Sequence, residues 1–247
     1  MARRFVVTGC QRSATAYTAA VLSRVGFPCG HEAIFGVYTV QHPRPGGPRL
    51  SRYLQEVFPR FRRPHELVIG QNLPWPETVP GDASWLAAAY LDRLPAGSVV
   101  LHQVRDPLAV LRSLRRVRAF DARSPYRAFA EFHCPAVRRG TPLERGMMYW
   151  VEWNRLAARA AEWPHLRYLR YRVEDLNPGL LERILTLLGG TPAVPSQSAL
   201  EAVPTDLNTR EPRDQDTAIS WGSLPEGRAR RTLIALAAGY GYPHAST

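Results

Sequence analysis

The sequence predicts an α/β fold, a single three-layer domain in which helices flank a central parallel sheet. Apolar strand segments alternate with helical segments along the chain, which is typical of parallel sheets. The first strand also ends in a tight turn at the start of a helix. The chain has 247 residues and 45% of them are hydrophobic, which is enough for one domain, 1–247, with a sizeable core.

The first predicted unit is a strand, a turn and a helix, at Phe5–Thr8, Gly9–Ser13 and Ala14–Val25. Residues 26–65 are rich in proline, glycine and arginine. A connection of that length in a compact domain is often functional. A short strand is predicted to follow at Leu67–Gly70.

The remaining elements follow from apolar spacing and from residues that begin or end helices. Ser84 suits the N-cap of a helix, Pro107 stands just inside the start of another, and Gly190 ends the last. "SVVLHQV" is apolar enough for a strand buried on both faces. The predicted helices are Ser84–Leu94, Asp106–Phe120, Glu144–Trp163 and Asn177–Gly190, and the predicted strands are Ser98–Val104 and Leu166–Tyr171.

Charge and cysteine content narrow the class of protein. The net charge is +11, and all 32 basic residues are arginine. Such a charge fits either nucleic acid or small polyanionic ligands, but the arginines form no uninterrupted basic run. Three cysteines without metal spacing favour reduced thiols and a cytoplasmic location. We expect no membrane span, because no apolar run reaches about 18 residues, and no signal peptide.

The segment after the first strand resembles a nucleotide-phosphate loop, G-x-x-x-x-G-K-[ST], with the key residues replaced. Ala14 stands in place of the second glycine, Thr15 in place of the lysine, and Ala16 in place of the hydroxyl that binds magnesium. The strand–turn–helix arrangement still favours an anion at the helix N-terminus, and Arg12 adds a cation. The loop therefore predicts an anion held without a metal.

"QRSATAY" resembles the 5′-phosphosulfate loop of sulfotransferases that use 3′-phosphoadenosine 5′-phosphosulfate (PAPS), whose pattern is approximately [KR]-S-G-T-T-W. The resemblance assigns cofactor binding to six successive residues: Arg12, Ser13, Ala14, Thr15, Ala16 and Tyr17. Two of these depart from the pattern. Ala14 replaces a glycine, and Ala16 replaces a threonine.

"VRDPLAVLRS" is the second motif, with Arg105 at the end of a strand and Ser113 eight residues later. Alone, "RD" also fits an ordinary helix start. The two residues resemble the family's 3′-phosphate site. "MMYWVEWNR" and "RYRVEDL" resemble later segments, with Val173 in place of the usual tyrosine, and the resemblance covers about residues 5–190. Arg210 and Arg213 are further candidates for the 3′-phosphate.

The resemblance implies a P-loop-NTPase-like fold and sulfuryl transfer from PAPS, without a metal, to a small-molecule or carbohydrate acceptor. Arg12 would stabilise charge on the leaving phosphate. The bacterial and carbohydrate branch implies Glu32 as general base; His31 could orient or replace it, and Asp82 is a third candidate. We expect Arg12 and the helix dipole to hold the pKa of Glu32 low.

Three other functions fit parts of the sequence. A kinase or nucleotide hydrolase needs a loop lysine and a hydroxyl that binds magnesium, and the loop has neither at these positions. A basic nucleic-acid-binding protein would account for the charge but not for two phosphate motifs. A sulfotransferase-like protein could also bind the product nucleotide, PAP, without catalysis. We expect no nucleic-acid or membrane partner, and we expect Gly36–His65 and Phe120–Arg145 to wall an acceptor pocket.

Overall fold

A computed structural model describes residues 3–35, 80–121, 124–205, 207 and 219–243. Within them, five parallel strands form one sheet in the order β2-β3-β1-β4-β5. The strands are β1 (Phe5–Thr8), β2 (Cys29–His31), β3 (Gly81–Ala83), β4 (Val99–Val104) and β5 (Arg167–Arg172). The predicted α/β architecture with a central parallel sheet is confirmed.

β1 is the central strand, and the order of the strands reverses beside it. Phe5 pairs with Gly81 of β3 on one side and with Val99 of β4 on the other. The chain continues from β1 toward one edge, through β2 and β3, and later fills the other edge with β4 and β5. Such a reversal leaves a crevice at the carboxyl ends of the strands, where α/β sheets bind ligands.

Helices cover the sheet. The α-helices are α1 (Thr15–Arg24), α2 (Pro107–Arg116), α3 (Pro125–His133), α4 (Pro142–Ala158), α5 (Pro178–Leu188), α6 (Ser196–Ala202) and α7 (Arg228–Gly239). Short 3-10 helices lie at Leu86–Arg93, Pro135–Arg138, Arg159–Glu162, Val173–Asp175 and Trp221–Ser223. No helix in these described ranges is long and apolar enough to cross a membrane.

Alternation along the strands divides the core between the two faces of the sheet. Val6 and Val100 belong to a cluster with the tryptophans of α4, whereas Phe5, Val7 and Leu101 pack with α1 and α5. Capping residues mark the start of some helices. Asp106 accepts a hydrogen bond from the backbone N–H of Ala109 at 3.0 Å, so it caps α2.

The structure differs from the sequence predictions in several elements. β2 and β3 were not predicted, because "CGH" and "GDA" are short and carry no apolar run. The helix predicted at Ser84–Leu94 is a 3-10 helix with a kink at Tyr90. Part of the stretch 120–145 forms α3, and its role as a pocket wall stays a prediction. The strand predicted at Leu67–Gly70 lies outside the described residues.

Candidate functional site

The loop from Gly9 to Ala14 connects β1 to α1 through an unusual backbone path. A Cβ atom at Gly9 would lie 2.0 Å from the carbonyl oxygen of Gln103, so only glycine fits there. Arg12 and Ala14, on either side of Ser13, have φ angles of 70° and 66°. These left-handed conformations are costly for residues with a Cβ, and glycine, which the family pattern has at position 14, avoids that cost.

Hydrogen bonds inside the loop and from α4 hold this path. The backbone N–H and the hydroxyl of Ser13 both donate to the carbonyl of Cys10, at 3.1 and 2.6 Å. The backbone N–H of Gln11 donates to the Tyr149 hydroxyl at 2.9 Å. Tyr149 is buried in α4, so the loop is anchored to the core as well as to its own backbone.

The structure brings the two sequence motifs into direct contact. Arg105 follows the end of β4 and donates from Nη1 to the backbone carbonyl of Arg12 at 2.9 Å. Ser113 lies on α2, and its hydroxyl accepts a hydrogen bond from Nε of Arg12 at 2.8 Å. The loop therefore has a fork-shaped cation of its own and a second arginine beside it.

Gln103 completes the support of the loop, and the sequence motifs did not include it. Its side-chain amide donates to the carbonyl of Ser13, and its oxygen accepts from the Tyr171 hydroxyl at 2.7 Å and from the Thr18 hydroxyl. The signal that could have identified it is a polar residue in the otherwise apolar strand "VVLHQV", next to His102. That histidine is a buried core residue, because Tyr168 and Asn154 hydrogen-bond its ring.

His31 and Glu32 lie at the carboxyl end of β2, two strands from the loop. His31 Nε2 is 3.3 Å from the Thr15 hydroxyl at the start of α1. Glu32 has a φ angle of 55°, and its backbone N–H donates to the carbonyl of Ala83 at 3.1 Å. Three of the four non-glycine residues with positive φ in the described ranges are thus Arg12, Ala14 and Glu32, all at this site.

Burial controls the charge of the candidate bases. Desolvation, with the nearby Asp82 charge, raises the pKa of Glu32 to about 7, although Arg12 and a hydrogen bond from Trp85 oppose the shift. The expectation that Arg12 would dominate is therefore wrong. Desolvation by neighbouring protein and the charge of Arg12 both lower the pKa of His31.

Asp82 has a different environment from Glu32. Its carboxylate is fully buried and accepts from the backbone N–H groups of Ala33 at 2.9 Å, Ile34 at 3.2 Å and Phe35 at 2.9 Å. Both oxygens are engaged, so the geometry favours Asp82 as an anchor for the turn that carries Glu32 rather than as a base.

Ala16 and Tyr17 lie in the first turn of α1, so all six residues of the loop motif are at one place. Val173 lies in the short 3-10 helix after β5. Arg210 and Arg213, like all of Gly36–His65, lie outside the described residues. Within the described ranges, no group of three or more histidine, cysteine, aspartate or glutamate side chains is arranged to hold a metal ion.

No protein-family profile and no curated protein matches the sequence. Solved structures do match. A sulfotransferase domain from the curacin biosynthetic pathway aligns with 14% identity over 99% of each chain and a TM-score of 0.52. The chain has the sulfotransferase fold. A sulfotransferase from Alicyclobacillus acidocaldarius also aligns, with 14% identity over 98% of this chain and 92% of that one and a TM-score of 0.42.

The sulfotransferase fold places three groups of residues at one end of the sheet. The loop follows β1, His31 and Glu32 follow β2, and Arg105 follows β4. Because parallel strands end at the same edge, these groups face one crevice at the point where the strand order reverses. The crevice can hold anionic groups beside the loop and has a carboxylate of raised pKa close to them.

Proposed function

We propose that this chain transfers a sulfuryl group from PAPS to a hydroxyl or amine of a small-molecule or carbohydrate acceptor, leaving PAP. The observation that carries the proposal is the contact between the two anion motifs. Arg12 of the loop hydrogen-bonds Ser113, and Arg105 hydrogen-bonds the loop backbone. A ligand with two separate phosphate groups on one nucleoside fits such a pair of adjacent sites.

The donor would lie across the crevice with its two ends on different motifs. The phosphosulfate end is assigned to the helix N-terminus at Ala14 and Thr15 and to the guanidinium of Arg12. The 3′-phosphate is assigned to Arg105 and Ser113, two helical turns into α2. Arginine suits both places because its fork matches phosphate oxygens.

Glu32 is the proposed general base. A base with a pKa near the working pH combines an available ionised form with useful basicity, and the pKa of Glu32 is raised to about 7. The acceptor oxygen would form a bond to sulfur while its proton passes to Glu32. The bond from sulfur to the bridging oxygen breaks, and its electron pair remains on the 5′-phosphate of PAP, where Arg12 stabilises the charge.

The three cysteines, Cys10, Cys29 and Cys134, form no disulfide with one another. Thiols in that state suit the reducing cytoplasm, where we place this reaction.

Binding of PAP and AMP tests the donor assignment, because the two differ only in the 3′-phosphate. We expect PAP to raise the melting temperature more than AMP or magnesium-ATP. Arg105→Ala removes a charged hydrogen-bond donor worth about 1.5–3 kcal/mol, so it should remove most of the advantage of PAP over AMP.

Other outcomes distinguish the alternatives. Greater protection by magnesium-ATP would identify a kinase-like site, and salt-sensitive DNA binding without any effect of PAP would identify a nucleic-acid-binding protein. Incubation with labelled PAPS and an extract of the source cells tests transfer itself. PAP binding without any labelled product would contradict the catalytic proposal and indicate a binding protein.

A further inference from the structure

Two carbonyl groups of the phosphate loop accept hydrogen bonds from side chains at the end of β4. Arg105 binds the carbonyl of Arg12 at 2.9 Å, and Gln103 binds the carbonyl of Ser13. Gln103 lies at the end of β4 and Arg105 directly follows that strand, so this end of β4 provides two supports for the same loop. Gln103 is completely buried, unlike the partly exposed Arg105.

The orientation of the Gln103 amide is set by its neighbours. Thr18 and Tyr171 each donate a hydroxyl hydrogen to its oxygen, and burial raises the pKa of Tyr171 so that it stays protonated. Tyr171 is also the cross-strand partner of Gln103 in β5. With the oxygen occupied by two donors, the amide nitrogen must face the carbonyl of Ser13.

The direction of the Ser13 carbonyl determines the direction of the backbone N–H in the same peptide group. The C=O and N–H of a trans peptide point in opposite directions. A Ser13 carbonyl turned inward toward Gln103 therefore turns the N–H of Ala14 outward, into the crevice at the start of α1. The left-handed conformations of Arg12 and Ala14 cost roughly 1–2 kcal/mol each, so this peptide needs an external bond to stay in place.

We propose that Gln103 is a positioning residue for the donor, because its side-chain amide fixes the Ser13–Ala14 peptide and so aims the Ala14 N–H at the phosphosulfate end of PAPS. Thr18 and Tyr171 are part of the same support. The inference rests on the proposed function. Other side chains lose these contacts: an ionised glutamate would set an oxygen against the Ser13 carbonyl, and an apolar side chain would leave three buried polar groups without a partner.

The first test uses Gln103→Met, which nearly keeps length and flexibility but has no donor. Calorimetric titration should show PAP and AMP both binding about tenfold more weakly, the effect of one lost hydrogen bond. The ratio of the two affinities should stay that of the wild type, since the 3′-phosphate contacts are intact. Arg105→Ala should instead bring the affinities for PAP and AMP much closer together. Unchanged affinity in a folded Gln103→Met variant would overturn the proposal.

Two tyrosines of β5 provide a matched pair if Gln103→Met does not fold. Tyr171 and Tyr168 each bond a β4 side chain at 2.7 Å, but the partner of Tyr168 is His102, not Gln103. Tyr171→Phe should weaken PAP binding several-fold, whereas Tyr168→Phe should leave it unchanged. Equal effects of the two substitutions would mean that the bond to Gln103 has no special role.

Hydrogen exchange in the protein without ligand separates this inference from the proposed function. Gln103→Met and Tyr171→Phe should speed exchange of the amides from Gly9 to Thr15 about tenfold, with β1 unchanged and Tyr168→Phe like the wild type. If wild-type protein does not bind PAP, the proposed function fails, and this result still decides whether Gln103 fixes the loop. Loop exchange that matches the wild type in all three variants would overturn it.

Discussion

Ala14 occupies a backbone conformation that glycine adopts more easily. Its φ of 66° and ψ of 32° are left-handed, and the strain of roughly 1–2 kcal/mol exceeds the entropy cost of a glycine. We predict that Ala14→Gly stabilises the protein by about 0.5–1 kcal/mol without weakening PAP binding. Urea denaturation measures the change.

Ala20→Gly is the matched control, because it makes the same substitution inside α1, where φ is helical. That variant should lose about 1 kcal/mol. If both substitutions destabilise the protein equally, the backbone of Ala14 is not strained.

The raised pKa of Glu32 gives a pH-dependent prediction. Only the ionised carboxylate accepts a proton, so kcat/KM should rise as pH increases through about 7. Glu32→Gln should lose about 10²–10⁴ in turnover and this rise, while still binding PAP. A rate profile measured from pH 5.5 to 9 checks both.

The stability of the folded protein should fall over the pH range in which kcat/KM rises. A carboxyl whose pKa is raised on folding binds its proton more tightly in the folded state, so the wild type loses stability as pH rises from 4.5 toward 7. Glu32→Gln does not ionise and should be more stable than the wild type at pH 8. Near-normal turnover of Glu32→Gln, with loss of activity in His31→Ala, would assign the base to His31 instead.

At the scale of elements, the turn after β2 depends on a single buried carboxylate. Asp82 of β3 accepts three backbone hydrogen bonds from Ala33–Phe35. In Asp82→Asn, an NH2 group faces some of these N–H groups, so we predict a loss of about 2 kcal/mol. Turnover should fall more than PAP affinity. The turn carries Glu32, the proposed base, whereas PAP is proposed to bind at the loop after β1.

Asp92→Asn is the control for Asp82→Asn, since Asp92 is an exposed aspartate. It should change stability by less than about 0.5 kcal/mol. A similarly small effect at Asp82 would mean that its hydrogen bonds to the turn contribute little.

Elements with a strong local signal were predictable and the others were not. β1, β4, α2 and α5 combine apolar patterns with proline, asparagine or glycine at their ends, and their positions were predicted within a few residues. β2 and β3 exist because they pair with β1 and its neighbour, and pairing leaves no trace in three residues. The two phosphate motifs could be recognised from their residues. The contact of Arg12 with Ser113 and the role of Gln103 could not, because they join residues that are distant in sequence.

At the scale of the whole molecule, the end of α7 is connected to the proposed donor site. The Tyr242 hydroxyl donates to Glu174 at 2.8 Å, and the same carboxylate accepts from the backbone N–H of Asp106 at 2.8 Å. Arg172 of β5 also donates to the carbonyl of Gly241. Since Asp106 follows Arg105 directly, Glu174 holds the turn that presents this arginine and joins it to the C-terminal helix.

This connection predicts graded effects of two substitutions. Tyr242→Phe removes one bond and should lower the melting temperature by about 2–4 °C, as expected for roughly 1 kcal/mol in a chain of this size. PAP affinity should be unchanged, because Glu174 still binds the Asp106 N–H. Glu174→Ala removes both bonds, so it should lower the melting temperature further and weaken PAP binding. Scanning calorimetry and titration with PAP measure the two effects, and an equal loss of PAP affinity in both variants would show that the Asp106 contact does not position Arg105.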